Sequence, residues 1–322
     1  MLSVYDVDGS FLSACTLEST YTAAVWSEAD GGYYLTAVDQ TGHDQLYFWD
    51  LGVPVGGEDL TLEPIYGEIL STEAVSQELY DRAADLSARY GISVRIAEQI
   101  DTVYRDFEVE QEVEESVISD GLDAVEQVLG LLPENFLPQL RYGTQQSLEI
   151  HLSGNLTKRD QPENISGFSS FSGLTEVRET ETVVVLDVAR PGSVAQTLCH
   201  ELMHVLEGKL KFHAWLQENA VYDEEMWLTL NPEGFVYAET YDEMPMSYFT
   251  DGYESWFVDL YSRTYAKEDR ARILEHAMMG NAWVFSGSPQ RMAKLEYLCR
   301  CIRDAFDTTG WPDQTVWEEV LS

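Results

Sequence analysis

Segment 193–208 constrains this chain more than any other stretch. Ser193 with Gln196 three residues later makes a capping box, and Gly208 suits the position just past a helix C-terminus. Between them lies His200-Glu201-Leu202-Met203-His204. Residues four apart share a helix face, so the two imidazoles can close on one ion. Glu201 is rotated off their line, where its carboxylate can take a proton from a water without occupying the metal. The apolar run 182–188 just before it predicts a buried strand feeding the helix. Val194, Leu198, Leu202 and Val205 supply the face that anchors the helix in a core. With 6 His in 322 residues, such a pairing seldom arises by chance. The bland alternative is an amphipathic helix with two hydrogen-bonded histidines.

An apolar content of 44% is ample for a core and for two domains, a β-rich module at 1–68 and a larger domain at 69–322. No apolar run approaches the ~18 residues of a membrane-spanning helix. The net charge of −38, from 57 acidic and 19 basic residues, argues against nucleic acid or an anionic membrane as partner. A solvated, self-repelling surface accounts for it. Cys15, Cys199, Cys299 and Cys301 match neither a zinc knuckle nor a disulfide scaffold and read as structural.

In chain order, strands are expected at 3–8, 10–17, 21–27, 33–39 and 45–50, joined by turns at Asp8-Gly9, Asp30-Gly31-Gly32 and Thr41-Gly42. That spacing predicts an antiparallel meander, with Trp26, Tyr33, Tyr34, Tyr47, Phe48 and Trp49 at sheet positions. Asp6, Asp8 and Gly9 read as a hairpin turn, not a calcium loop, because no Glu closes the motif. Pro54, Gly56, Gly57 and Pro64 mark 51–70 as a linker. A helix at 72–90 follows, with Val75, Leu79, Ala83, Leu86 and Tyr90 on one stripe, and Ile92, Val94 and Ile96 then alternate as a strand. The acidic run 107–115 reads as a solvated segment, and 116–131 as a helix with Ile118, Leu122, Val125 and Leu129 inward. Leu148, Ile150 and Leu152 alternate as a strand with His151 on its open face. The Gly- and Ser-rich stretch 154–179 reads as a loop or hairpin, 289–306 as a buttressing helix, and 308–322 as a loosely docked tail carrying Trp311 and Trp317.

A catalytic zinc takes three protein ligands and keeps one position open. Glu207 and Leu210 stand where a metzincin needs Gly and His, which excludes that class. His213, Glu207 and Glu254 compete for the third place. The strongest candidate is Glu268, in the first turns of a second helix whose apolar face is Ile273, Leu274, Ala277 and Met278. Its bland role is a first-turn acid complementing the helix dipole.

His200-Glu201-x-x-His204 followed by Tyr261 and Glu268-Asp269 resembles the gluzincin metallopeptidases of the lethal-factor-like type. It is also similar to zinc-binding metallopeptidase lipoproteins of bacterial surfaces. The resemblance covers 70–300 in layout, but only the two short motifs are specific. It implies an α+β, zincin-like domain, with a small and mostly antiparallel β module at the N-terminus outside it. It implies Zn2+ held by His200, His204 and Glu268, with Glu201 as general base and Tyr261 steadying the oxyanion of a protein or peptide substrate. It implies residence outside the cell or on its surface, a signal segment having been removed. Tyr265 is an alternative to Tyr261, and Asp259, Asp269 and Glu207 are candidate partners for the imidazole N–H groups. The long gap before Glu268 is rich in aromatics, among them Trp215, Trp227, Phe235 and Tyr237, and either shapes a cleft or packs on the domain. Two rivals stand beside the peptidase: a binding or adhesion module that holds zinc without useful turnover, and a zinc hydrolase of non-peptide amides. The intact Glu201 and Tyr261 favour an enzyme.

Overall fold

The computed structural model describes residues 2–5, 11–16, 20–27, 31–38, 44–50, 60–61, 75–112, 114–159, 172–190, 192–241 and 252–322. They fall into two compact units, Met1–Ala74 and Val75–Ser322. The linker residues Pro54, Gly56, Gly57 and Pro64 and the turns at Asp8-Gly9 and Thr41-Gly42 lie outside the described residues.

The first unit holds two three-stranded sheets. Strands β1 (Leu2–Tyr5) and β2 (Phe11–Thr16) pair antiparallel, and β6 (Leu60–Thr61) joins β2 in parallel. Strands β3 (Thr20–Ser27), β4 (Gly32–Val38) and β5 (Asp44–Asp50) form the antiparallel meander. The single meander expected from the spacing is thus divided. Period-2 alternation buries Leu35, Ala37, Tyr47 and Trp49 on one face of β4–β5.

The second unit mixes helix and sheet. Helix α1 (Gln77–Tyr90) buries Leu79, Ala83 and Leu86, and leads into β7 (Ser93–Arg95). A hairpin of β8 (Val103–Tyr104) and β9 (Phe107–Glu110) follows, then helix α2 (Glu115–Leu129) and the short α3 (Phe136–Gln139). The long strand β10 (Ser147–Lys158) pairs in parallel with β7 and with β12 (Glu181–Asp187), while its C-terminal half pairs antiparallel with β9. Strand β11 (Gly173–Val177) runs antiparallel along the other side of β12.

Helices cover one face of this sheet. Leu148, Ile150, Leu152, Val184 and Leu186 share one core with α1, α2 and α4 (Val194–Leu216), and with α6 (Ala266–Met278) and α8 (Pro289–Ala305); the short α5 (Glu224–Thr229) and α7 (Ala282–Phe285) fall between these in the chain. The opposite face buries Val183, Val185 and Leu156 beneath Tyr104 and Val109 of the β8–β9 hairpin.

Four sequence expectations are corrected here. The acidic run at 107–115 contains a strand, because Val109 is buried while Glu108 and Glu110 point to solvent. His151 lies on a covered face, not an open one: it is 2% exposed, with Nδ1 2.6 Å from the Tyr104 hydroxyl and Nε2 3.0 Å from Glu149. Of the loop or hairpin expected at 154–179, the hairpin half holds, since β11 turns through 178–181 into antiparallel β12, but the stretch also contains the end of β10. The tail docks firmly: Trp317 is buried, and with Trp311 it packs on the stacked rings of Phe136 and Phe306.

Candidate metal centre

Helix α4 starts where the sequence places it but does not stop there. The Ser193 hydroxyl caps it, accepting from the Gln196 N–H at 3.1 Å. The reciprocal half of the capping box is missing, because the Gln196 amide donates to Glu275 instead. The helix runs through Gly208 to Leu216. Gly208 is there for space, since a Cβ would come within 2.7 Å of the Tyr142 ring. Ten α4 residues are buried, from Ala195 to Leu210, so the helix is enclosed nearly all round and its histidines are rigidly presented.

His200 and His204 project from successive turns, with ring centroids 4.9 Å apart. Glu268, in the first turn of α6, meets both: its Oε2 lies 3.1 Å from His200 Nε2 and 3.3 Å from His204 Nε2. Two nitrogens and one oxygen bound to a single zinc at ~2.0–2.2 Å in tetrahedral array would be separated by about 3.3–3.6 Å. The His200, His204 and Glu268 donor atoms all lie within 4.8 Å of one another, so this buried cluster can hold a metal ion. The other Glu268 oxygen is taken: Oε1 accepts from the Tyr241 hydroxyl at 2.7 Å and lies 3.4 Å from Lys267 Nζ. Glu268 therefore offers one oxygen inward.

Glu275 lies two turns further along α6, and its Oε2 is 3.0 Å from His200 Nδ1. Burial opposes ionisation of Glu275, but the His200 hydrogen bond, the Arg272 charge and Gln196 hold it below the usual carboxylate range. As an ionised carboxylate it can only accept, so Nδ1 carries the proton. In a neutral imidazole this leaves a bare Nε2 lone pair facing a carboxylate oxygen of Glu268. Two acceptors at 3.1 Å require a cation between them, either a proton or a metal ion. Without metal, the proton takes that role. Burial lowers the His200 pKa, yet the hydrogen bonds to Glu268 and Glu275 and the charge of Glu201 raise it to about 10. Glu268 is held well below the carboxylate range, burial being outweighed by the two imidazoles.

Charge balance points the same way. Glu201, Glu268 and Glu275 are all buried at this centre. Arg272 bonds Glu275 at 2.5 and 2.6 Å but also bonds Asp259 at 2.9 Å, so its charge is shared. Buried carboxylates in excess of buried cations favour uptake of a positive ion.

Glu201 sits one residue along from His200, its Oε2 accepting from Thr175 of β11 at 2.7 Å. The Tyr261 ring lies 6.0 Å from that of His200 and stacks on Tyr241. Burial, then Glu268, Tyr241 and Glu201, push the Tyr261 hydroxyl far above its ordinary value, so it remains a donor at neutral pH. Tyr265 is directed elsewhere, donating to the Glu239 carbonyl at 2.6 Å. Glu239, two residues before Tyr241, adopts a left-handed φ of 56° and donates its N–H to the Thr264 carbonyl at 2.8 Å.

The other candidates are not brought to the ion position. Glu207 pairs with Arg270 at 2.8 Å, His213 with Asp304 at 3.2 Å, and Glu254 is exposed. Neither Glu207 nor Asp269 is a partner of the imidazoles. Asp269 bonds Lys294 and the Tyr237 hydroxyl, each at 2.7 Å. Asp259 acts one step removed, through Arg272. Of the aromatics in the insertion, Trp227 and Tyr237 pack on the domain, Trp227 donating to the Tyr237 hydroxyl at 3.0 Å and Tyr237 bonding Asp269 in the first turn of α6, while Trp215 is exposed. Sequence reading missed Glu275, Tyr241 and Thr175. Only Glu275 carried a signal, since two turns past Glu268 returns to the same helix face.

Comparison of the chain with family models, with curated proteins and with solved structures yields no match.

Proposed function

We propose that this chain is a zinc-dependent metallopeptidase with a zincin-like domain, acting on protein or peptide substrates. His200, His204 and Glu268 hold the ion. The observation that carries the proposal is the His200 Nε2 facing Glu268 Oε2 at 3.1 Å while Nδ1 is committed to Glu275. That donor set, two imidazole nitrogens and one carboxylate oxygen, is a catalytic-zinc set. Zinc bound there would polarise the scissile carbonyl and acidify a water.

The protein side chains divide the remaining work. Glu201 accepts a proton at its carboxylate and returns it to the leaving amine. The protonated Tyr261 hydroxyl donates to the developing oxyanion, a contact stronger in the transition state than in the ground state. Glu275 fixes the tautomer and ring plane of His200. Tyr241 holds Glu268 Oε1, so that only Oε2 turns inward.

The test is digestion of a broad peptide library, with and without a chelator, by wild type and by Glu201→Gln. Cleavage by wild type that chelation abolishes and zinc restores is expected. Glu201→Gln should retain zinc and lose at least ~10²-fold in turnover. Zinc retention with no cleavage by wild type would instead support the non-catalytic binding module.

A further inference from the structure

We propose that Thr175 is the positioning residue for Glu201, an assignment that rests on the metallopeptidase reading above. Strand β11 is paired on one side only among the described residues, to β12, with Thr175 opposite Val184. Gly173, Thr175 and Val177 alternate toward one side of that strand. This side faces α4. A Cβ on Gly173 would come within 2.7 Å of Thr197 and 3.1 Å of the Glu201 Cγ. The absent side chain lets strand and helix approach closely enough for the next residue on that side to reach the carboxylate. Thr175 Oγ1 then stands 2.7 Å from Glu201 Oε2 and 3.2 Å from the Glu201 carbonyl oxygen. A hydroxyl has one proton, and the shorter contact with the charged acceptor takes it.

The tie matters because of what surrounds Glu201. Glu268 and Glu275 place two further buried carboxylates at the same centre. An untied Glu201 has freely rotating bonds, is repelled by these charges, and can turn its own oxygens onto the ion in competition with water. Anchoring one oxygen to a strand of fixed register commits Glu201 to the base position and keeps it out of the ligand shell. General-base catalysis depends on such placement, and misplacement by about 1 Å can cost on the order of 10²-fold in rate.

Two variants separate positioning from packing. Thr175→Val keeps the shape and removes the hydroxyl; Thr175→Ser keeps the hydroxyl and removes the methyl. Thr175→Val should lower kcat on the order of 10- to 100-fold, with KM and zinc content unchanged. Thr175→Ser should recover to within about threefold of wild type. A second readout uses the metal-free chain and no activity. The shift in urea midpoint caused by Thr175→Val should shrink by more than half when Glu201 is already alanine, because the bond is then already gone. Loss of activity in Thr175→Ser equal to that in Thr175→Val, or additive midpoints, overturns the proposal in favour of packing. Full activity in Thr175→Val, beside a wild type that cleaves, overturns this proposal and leaves the metallopeptidase reading intact. A wild type with no metal-dependent cleavage removes both.

Discussion

Glu275→Ala isolates what the second carboxylate of α6 contributes to the centre. Glu275 Oε2 accepts from His200 Nδ1 at 3.0 Å, a hydrogen bond to an ionised group worth about 1.5–3 kcal/mol. Loss of such an outer partner costs on the order of 10- to 100-fold in metal affinity, or about 1.4–2.7 kcal/mol. The two ranges, reached separately, overlap. The zinc Kd of Glu275→Ala should therefore rise roughly 10- to 100-fold. Arg272 keeps Asp259 at 2.9 Å in that variant, so the neighbouring strut survives. Glu275→Gln should fall between alanine and wild type. Its amide oxygen can still accept from Nδ1, but its NH2 then faces the donors of Arg272 and Gln196. Competition against a chromophoric chelator measures the Kd, and circular dichroism confirms the fold. If Glu275→Ala binds zinc as tightly as wild type, the assigned tautomer, and with it the acceptor-to-acceptor argument, is wrong.

Other outcomes follow from the packing. Arg270 is 1% exposed and bonds Glu207 and Glu224, so Arg270→Met should lower unfolding stability by about 3–5 kcal/mol, toward the low end because Lys211 still reaches Glu207. Burial raises the Glu207 pKa, but Arg270 and Lys211 outweigh it and hold the group below its ordinary value. The stabilisation from this depressed carboxylate is present above its unfolded pKa of about 4.3 and is lost as pH falls through the folded value. Urea midpoints at about pH 3 and 7 should thus drop more in wild type than in Arg270→Met. Gly208→Ala gains up to ~1 kcal/mol of helix propensity, but overpacking against Tyr142 costs about 1–3 kcal/mol. Tyr142 packs on Phe212 with ring centroids 5.6 Å apart and cannot swing away freely, so a net loss in thermal midpoint is expected, relieved in a Tyr142→Ala background.

What was legible in the sequence follows from periodicity. The stripes Leu79-Ala83-Leu86 and Ile118-Leu122-Val125 repeat at helical spacing and are buried. The pair His200 and His204 needed only the four-residue rule, and Glu268 only a helix start. The failures have separate physical causes. In 107–115 every second residue is acidic and the inward face of the strand is marked by just Phe107 and Val109, so charge masked it. His151 alternates with apolar residues as an exposed position would, and the Tyr104 side chain that meets it comes from β8, a tertiary neighbour its own strand does not announce. Gly208 looked like a helix stop because its reason for being glycine, the Tyr142 ring, comes from a distant part of the chain. Thr175 left no local trace: its role depends on β11 lying over α4, which the sequence of β11 does not encode.

The central claim is that two imidazoles of α4 and one carboxylate of α6 share a single divalent cation. Equilibrium zinc titration of the metal-free chain tests it most directly. Wild type and Glu201→Gln should each bind about one zinc per chain, and His200→Ala, His204→Ala and Glu268→Ala should each bind it roughly 100-fold or more weakly. Wild-type affinity in Glu268→Ala would contradict the claim.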